Sequence, residues 1–141
     1  MTIKLHYENI IPNQKQIDDL YKLLLEREFS ISHHTIPTKE EHEKFVINFP
    51  YLAWYIIRKG NDLCGSVYIQ NDNSIGINFN KLTLEDVEDI ISFIKANHKP
   101  LNAIKSVRRG EFLINVPSNN EELIVILHQL KKKEIQKTFI L

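Results

Sequence analysis

The sequence has a single cysteine, no net charge and no long apolar run, and each of these shortages excludes a class of protein. Cys64, being alone, rules out an internal disulfide and fits a reducing compartment. Lysine plus arginine and aspartate plus glutamate number 18 each, so no charge excess indicates a nucleic-acid or anionic-membrane partner. No apolar run reaches membrane-spanning length and the N-terminus lacks the apolar core of a signal peptide, which predicts a cytoplasmic protein.

The rest of the composition is that of an ordinary globular domain. Hydrophobic residues make up 43% and charged residues 26% of the 141-residue chain, which is enough for one domain with a substantial core. No internal repeat, low-complexity segment or flexible linker divides the chain. The sequence therefore predicts a single domain over residues 1–141.

The first half of the chain carries clear local signals for two helices. Apolar and polar residues alternate over residues 2–9, which predicts an outer strand that is half buried. Asn13 is placed to cap a helix that ends near Arg27. Thr38 and Glu41 form a capping box for a short second helix.

Three strands and a helix follow without a break. Residues 51–58 form a continuous apolar strand, residues 64–70 a second, and residues 75–79 alternate as a third. Short turns separate the strands, so they form an antiparallel meander. Thr83 then caps a helix with a clear apolar stripe.

The last part predicts a strand, a helix and a strand. Residues 112–116 form the strand, Ser118 caps the helix, and the apolar run 123–127 predicts a helix covered on more than one side. Residues 135–141 are predicted as the final strand. The order βααβββαβαβ predicts an α/β fold (α+β, with a mixed sheet) that has helices on both faces.

This order resembles the GNAT N-acyltransferases along nearly the whole chain. The sequence is most similar to the branch that acetylates amino groups of sugar nucleotides in bacterial surface-glycan synthesis. The resemblance is carried by Arg27 and by residues 30–34, 38–45, 54–57, 65–69, 74–77 and 116–120.

The resemblance implies where the acetyl-CoA donor would bind. In the family, the third strand of the meander splays from the strand after the central helix, and the pantetheine arm pairs with backbone exposed in the gap. The corresponding cofactor-binding residues are Ile75, Gly76, Ile77, Asn78, Asn115 and Val116. The requirement is for backbone groups, so the side chains on this strand can still face the core.

Two departures from the family pattern concern the donor. The family holds the pyrophosphate of CoA on a glycine-containing loop at the start of the central helix, but residues 80–86 contain no glycine. Glu85 and Asp86, followed by Glu88 and Asp89, would repel a pyrophosphate there. In the last helix, Leu127 replaces the tyrosine that donates a proton to the leaving thiolate in many relatives, with His128 beside it as a weak substitute that we expect to be exposed.

The acceptor site is predicted in the polar segment between the first two helices. Glu28, His33, His34 and His42 cluster in the sequence there, and the resemblance places this region at the acceptor pocket. His34 and Glu28 are the candidate catalytic bases for the attacking amine. The alternative is that these side chains bond to the backbone of the segment. No metal site is predicted, because the spacing matches no ligand motif.

The sequence thus predicts an N-acetyltransferase that moves an acetyl group from acetyl-CoA to a primary amine of a small acceptor. The resembling branch implies an amino-sugar nucleotide as that acceptor. One alternative is a non-catalytic binding or regulatory domain that has lost the CoA loop. Another is an acyltransferase with an acyl-carrier protein as donor, docked on the basic residues Lys81, Lys105, Arg108 and Arg109. The sequence does not decide between a monomer and a homodimer.

Overall fold

The described part of the protein is built on a five-stranded mixed sheet flanked by four helices. The computed structural model describes residues 4–27 and 36–141. The strands are β1 (Leu5–Asn9), β2 (Ala53–Lys59), β3 (Asp62–Ile69), β4 (Ser74–Phe79) and β5 (Leu113–Ile114). The helices are α1 (Gln14–Glu26), α2 (Lys39–Ile47), α3 (Leu84–Asn97) and α4 (Glu121–Gln129).

The strands lie in the sheet in chain order. Strands β1 to β4 form an antiparallel meander, and β5 pairs with β4 in parallel after the α3 crossover. The predicted turn between β2 and β3 is present, with Gly60 at a φ of 59° and Lys59 opposite Asp62. The predicted meander is therefore confirmed.

The predicted N-caps of the first three helices are confirmed. The side chain of Asn13 accepts from the N–H of Gln16 at 2.9 Å. Thr38 and Thr83 each form a full capping box. The predicted cap of α4 is wrong, since the Asn120 side chain, and not Ser118, accepts the N–H of Leu123.

Helices cover both faces of the sheet, as predicted. On one face, α3 buries Ile90 and Ile94 against Ile57 and Val67 of the central strands. Each such side chain contributes about 1.5–3 kcal/mol when fully buried.

On the other face, α1 and α2 bury Leu23 and Val46 against Trp54 and Ile56 of β2. Successive strand residues point to opposite faces, so Tyr55, the neighbour of Trp54, packs in the cluster under α3.

Helix α4 is covered on one side only, contrary to the prediction. Leu123 and Ile126 are buried against Val87 of α3, but Val125 on the outer side is 53% exposed. The run 123–127 is apolar all round, yet among the described residues it packs against one side only, formed by α3 with Leu82 and Val116. An apolar composition allows burial on several sides, but the neighbours present decide how many are used.

The predicted last strand is absent. Residues 131–141, here called the tail segment, contain no helix or strand and are exposed throughout. Alternation sets which side chains share a face, but a strand also needs a neighbouring strand for its backbone groups. The described chain offers the tail none, and the element order is βααβββαβα.

Candidate functional site

Strand β4 diverges from β5 after two residue pairs. Ser74 lies opposite Leu113 and Ile75 opposite Ile114. The N–H of Leu113 donates to the carbonyl of Asn73 at 3.0 Å, and the N–H of Asn115 to that of Ile75 at 3.4 Å. Within the described chain the ladder goes no further, although β4 continues to Phe79. A gap therefore opens beside the second half of β4, and β5 is shorter than the predicted strand 112–116.

The backbone groups that face this gap follow from the antiparallel pairing on the other side of β4. The N–H of Gln70 donates to Ser74 and the N–H of Asn80 donates to Cys64, both at 2.9 Å. Bonding directions alternate along a strand, so Ile77 and Phe79 turn their N–H and C=O groups toward the gap.

The predicted cofactor-binding residues thus differ in the direction and the bonding of their backbone groups. Gly76 and Asn78 lie opposite Tyr68 and Ser66, with their backbone groups turned toward β3. The carbonyl of Ile75 and the N–H of Asn115 already bond to each other, and Val116 packs beside the α3–α4 cluster. On β4, Ile77 presents its N–H and C=O to the gap, and sequence reasoning missed Phe79. Counting alternate residues from the turn before β4 would have identified Phe79.

The side chains around the gap hold β4 in place. Ile77 and Phe79 pack against the core cluster under α3, as expected from the sequence. On the opposite face, the ring end of Tyr68 occupies the space where Gly76 lacks a Cβ, and it stacks on Tyr51 at 4.0 Å between ring centroids. Burial raises the pKa of Tyr68, so its hydroxyl stays protonated at neutral pH.

Asn73, which the sequence indicated only as a turn residue, fixes the place where β4 and β5 meet. Its φ of 69° lies in the left-handed region that asparagine tolerates, and it is 1% exposed. Its side-chain amide donates to the carbonyls of Leu101 (2.9 Å) and Arg109 (2.7 Å), and its Oδ1 accepts the N–H of Leu101 at 2.7 Å. One buried side chain thus holds the loop that leads into β5.

The N-terminus of α3, beside the end of β4, is satisfied by the chain itself. Thr83 Oγ1 accepts the N–H of Asp86, and Asp86 Oδ2 accepts the N–H of Thr83, both at 3.1 Å. Lys81 precedes the cap with a φ of 52°. Two of the donors that a bound anion would need, the N–H groups of Thr83 and Asp86, are therefore already bonded within the chain.

The same helix end also carries its own negative charge. Asp86 is 5% exposed and forms an ion pair with Lys59 at 3.1 Å. Glu85, Glu88 and Asp89 line a shallow groove beside it, together with Lys4. A carboxylate already occupies the place that the helix dipole would offer to an anion, so these residues do not fit a pyrophosphate.

Comparison with solved structures identifies the fold. AAC(6')-Iy, an aminoglycoside N-acetyltransferase solved with CoA, matches with a TM-score of 0.61 and 9% identity over 100% of this chain and 95% of its own. RimL, a ribosomal L7/L12 alpha-N-protein acetyltransferase solved with coenzyme A, matches with a TM-score of 0.58 and 12% identity over 91% and 79%. The chain has the GNAT N-acyltransferase fold. No protein-family model and no curated protein matches the sequence.

A possible acetyltransferase from Clostridium difficile 630 has the same GNAT fold, with a TM-score of 0.57 and 11% identity over 96% of this chain and 95% of its own. The predicted fold class is therefore confirmed. In the described ranges no helix is long and apolar enough to cross a membrane, and no group of three or more His, Cys, Asp or Glu side chains could hold a metal ion.

The remaining predicted site residues belong to two regions, the segment between α1 and α2 and the helix α4. Glu28, His33 and His34 lie outside the described residues, so their predicted roles stay predictions. In α4, Leu127 packs against the buried cluster formed with α3 and His128 is exposed, as expected.

Two of the basic residues proposed for carrier docking, Arg108 and Arg109, already bond to other residues of the chain. Lys105, Arg108 and Arg109 lie on the loop between α3 and β5. The Arg108 guanidinium donates to the carbonyls of Asn102 (2.9 Å) and Asn71 (3.1 Å). Arg109 pairs with Glu111 at 3.2 Å. Arg108 therefore stabilises the loop, whatever else this surface does.

His42 belongs to the core and not to an open acceptor pocket. It is buried on α2, and its Nε2 donates to the carbonyl of Ile17 in α1 at 3.0 Å. Burial lowers the pKa of His42 below its ordinary value, although the bond to Ile17 and the charge of Asp18 oppose the shift. Neutral His42 therefore ties α2 to α1.

This burial predicts a loss of stability on acidification. Because the folded-state pKa is lowered, the unfolded chain binds a proton at His42 that the folded chain does not bind. The free energy of unfolding should be constant above the ordinary histidine pKa and fall below it, down to the folded-state pKa. Urea unfolding from pH 8 to pH 5 measures this. His42→Gln should flatten the dependence, and a wild-type curve that keeps its value through this range would contradict the assignment.

Proposed function

We propose that this protein is an N-acetyltransferase that transfers an acetyl group from acetyl-CoA to a primary amine of a small acceptor. The observation that carries the proposal is the divergence of β4 from β5. It leaves the N–H and C=O of Ile77 facing a gap in the sheet. A pantetheine arm has two amides and can pair there as an added strand would. The solved neighbours named above support the donor, since two of them were solved with CoA.

The proposed reaction needs few groups from the protein. The neutral amine attacks the thioester carbonyl, the C–S bond breaks, and the thiolate leaves and takes up a proton. The amine must lose one proton on the way, and we propose Glu28 or His34 as its acceptor, directly or through water. The main contribution of the fold is to hold the thioester and the amine together.

The adenine-nucleotide end of CoA is the part that this chain holds least. The capped and acidic start of α3 does not fit the pyrophosphate, so affinity must come from the pantetheine side of the donor. This observation favours a second candidate, an acyl-carrier protein as donor, because its prosthetic arm carries one phosphate and arrives on its own protein surface. It also supports the third candidate, a binding or regulatory domain without catalysis.

The finer proposal for the acceptor is an amino-sugar nucleotide, supported by the sequence resemblance. The neighbours have amine acceptors of two kinds, since one is named for aminoglycosides and another for the ribosomal protein L7/L12. A panel of amino sugars, amino-sugar nucleotides and N-terminal peptides, assayed for acetylation, decides among these classes.

Comparing acetyl-CoA with acetyl-pantetheine in calorimetric titrations tests the donor site. We expect the two dissociation constants to agree within about fivefold, because the α3 terminus contributes no net attraction for the pyrophosphate. Glu85→Gln should tighten acetyl-CoA binding by about two- to fivefold, the effect of about 0.3–1 kcal/mol at a helix end. The same variant should leave acetyl-pantetheine binding unchanged.

Glu40→Gln, on the exposed surface of α2, is the matched control for a lost carboxylate. If acetyl-CoA binds orders of magnitude more tightly than acetyl-pantetheine, the chain holds the pyrophosphate elsewhere and our account of α3 fails. If neither compound binds while a carrier-linked acetyl group reacts, the carrier protein is the donor. If no donor binds, the non-catalytic alternative replaces the enzyme.

A further inference from the structure

The gap beside β4 has one closed end and one open end. The last residue pair between β4 and β5 joins Ile75 to Ile114, which closes the gap there. The other end lies beside Phe79, where the chain leaves β4 and runs on to α3. A pantetheine arm that carries a nucleotide outside the sheet has to enter at the open end. Its thioester, at the tip of the arm, then lies near the closed end, next to Gly76.

The hydroxyl of Tyr68 lies at this closed end. Tyr68 is paired with Gly76 across β3 and β4, and the end of its ring, with the hydroxyl oxygen, fills the space above Gly76. A Cβ at position 76 would overlap the ring, so this arrangement requires glycine there. Neighbouring strands lie about 4.8 Å apart, so a hydroxyl above β4 borders an arm seated in the gap.

Packing holds the ring of Tyr68 in this place. It lies in the cluster under α1 and α2, where it stacks on Tyr51 with an angle of 11° between the ring planes. Tyr51 in turn packs edge-on against the buried Trp54, at 5.2 Å between ring centroids. The charged or titratable groups near the hydroxyl are Tyr51, Arg27 and Asp72. The hydroxyl is therefore fixed in position before any ligand arrives.

The acidity of this hydroxyl decides what it can do for a thiolate. A free thiol has a pKa of about 8.5 and a free tyrosine one of about 10. Burial raises the pKa of Tyr68 further, although the charge of Arg27 opposes the rise. Moving the phenol proton to a thiolate is therefore uphill. The hydroxyl keeps its proton and acts as a fixed hydrogen-bond donor to charge that develops beside it.

We propose that the hydroxyl of Tyr68 donates a hydrogen bond to the thioester sulfur and stabilises the thiolate as it leaves. This assignment rests on the proposed function. The amine nitrogen bonds to the carbonyl carbon, the C–S bond breaks, and its electron pair stays on the sulfur. The proton lost by the amine goes to the base, and the released thiolate takes a proton from water. Tyr68 is then a catalytic residue that the sequence resemblance did not indicate.

Titrating the thiol of bound CoA tests this role without an acceptor. The ultraviolet absorbance of the thiolate, followed against pH at saturating CoA and corrected for the protein alone, gives the pKa of the bound thiol. A hydrogen bond to a charged group changes an equilibrium about 10- to 100-fold. Tyr68→Phe should lower the ratio of thiolate to thiol in bound CoA by that factor. Phenylalanine keeps the stacked ring, and thermal melting shows that the variant is folded.

Two further variants separate the hydroxyl from its surroundings. Tyr55→Phe is the matched control, because Tyr55 lies on the other face of the sheet with its hydroxyl 2.8 Å from Nε2 of His98. It should leave the thiolate ratio unchanged. Gly76→Ala puts a Cβ where the ring end lies, so it should displace the hydroxyl and lower the ratio. Added to Tyr68→Phe, it should lower the ratio little further.

Turnover gives a second readout with the amine that the acceptor panel identifies. Tyr68→Phe should lower kcat by about 10- to 100-fold and leave the KM for acetyl-CoA within about twofold, since the bond forms as charge develops. If wild type binds CoA and Tyr68→Phe changes neither the thiolate ratio nor kcat, the role of Tyr68 is wrong while the proposed function stands. The same holds if Tyr51→Phe has the effect instead. If wild type binds no CoA, both proposals fail.

Discussion

Replacing Asn73 by alanine should lower the free energy of unfolding by about 3–5 kcal/mol, among the larger effects of a single substitution. Alanine removes all three hydrogen bonds of the buried Asn73 side chain and takes their partner from one N–H and two carbonyls of the partly buried loop. It also puts an ordinary residue at a φ of 69°, where the left-handed backbone costs about 1–2 kcal/mol. Urea unfolding followed by circular dichroism measures the loss.

Asn73→Gly and Asn73→Asp divide this loss into its parts. Glycine keeps the backbone conformation but not the bonds, so it should be about 1 kcal/mol less harmful than alanine. Aspartate keeps an acceptor for the N–H of Leu101 but loses both donated bonds. If the alanine variant unfolds within about 1 kcal/mol of wild type, Asn73 does not hold the β4–β5 junction as described.

Gly65→Ala is expected to have the second largest effect, a loss of about 2–3 kcal/mol from overpacking. A Cβ at Gly65 would overlap the carbonyl oxygen of Asn78 and lie 2.9 Å from the Cα of Phe79. Both are backbone atoms of β4, so the clash cannot be relieved by a side-chain rotation. The end of β4 would have to move away from β3 and into the gap, and donor binding should weaken together with stability.

Gly60→Ala is the control for this substitution. Gly60 has a positive φ, but nothing lies within 4 Å of an added Cβ, so only the backbone strain of about 1–2 kcal/mol applies. Denaturant unfolding and thermal shift with acetyl-CoA should be run on both variants. The account of the gap is contradicted if Gly65→Ala is no worse than Gly60→Ala, or if it binds the donor as wild type does.

The parts of the fold that the sequence predicted are those that local interactions decide. The capping bonds of Asn13, Thr38 and Thr83 are made with residues three positions away, so their partners are visible in the sequence. The meander follows from short turns and alternation. Whether residues 135–141 form a strand depends instead on what lies beside them, and alternation carries no information about a neighbour.

The features of the site also divide into those that the sequence shows locally and those that depend on distant residues. A gap between β4 and the strand after α3 followed from the family resemblance, and the carboxylates at the start of α3 could be seen directly in the sequence. The role of Asn73 could not, because its partners are 28 and 36 residues away and asparagine is common in turns. His42 was assigned to the acceptor region on proximity in sequence, but its contact with Ile17 places it in the core.

The two-residue pairing of β4 with β5 has a consequence for the order in which the sheet assembles. Strands β2, β3 and β4 are joined by tight turns, so their pairing closes short loops and should form early. The β4–β5 pair closes a loop that includes all of α3, and only two residue pairs offset that entropy. Amide hydrogens of β5 should therefore exchange fastest in the sheet, and a ligand seated in the gap would slow them first.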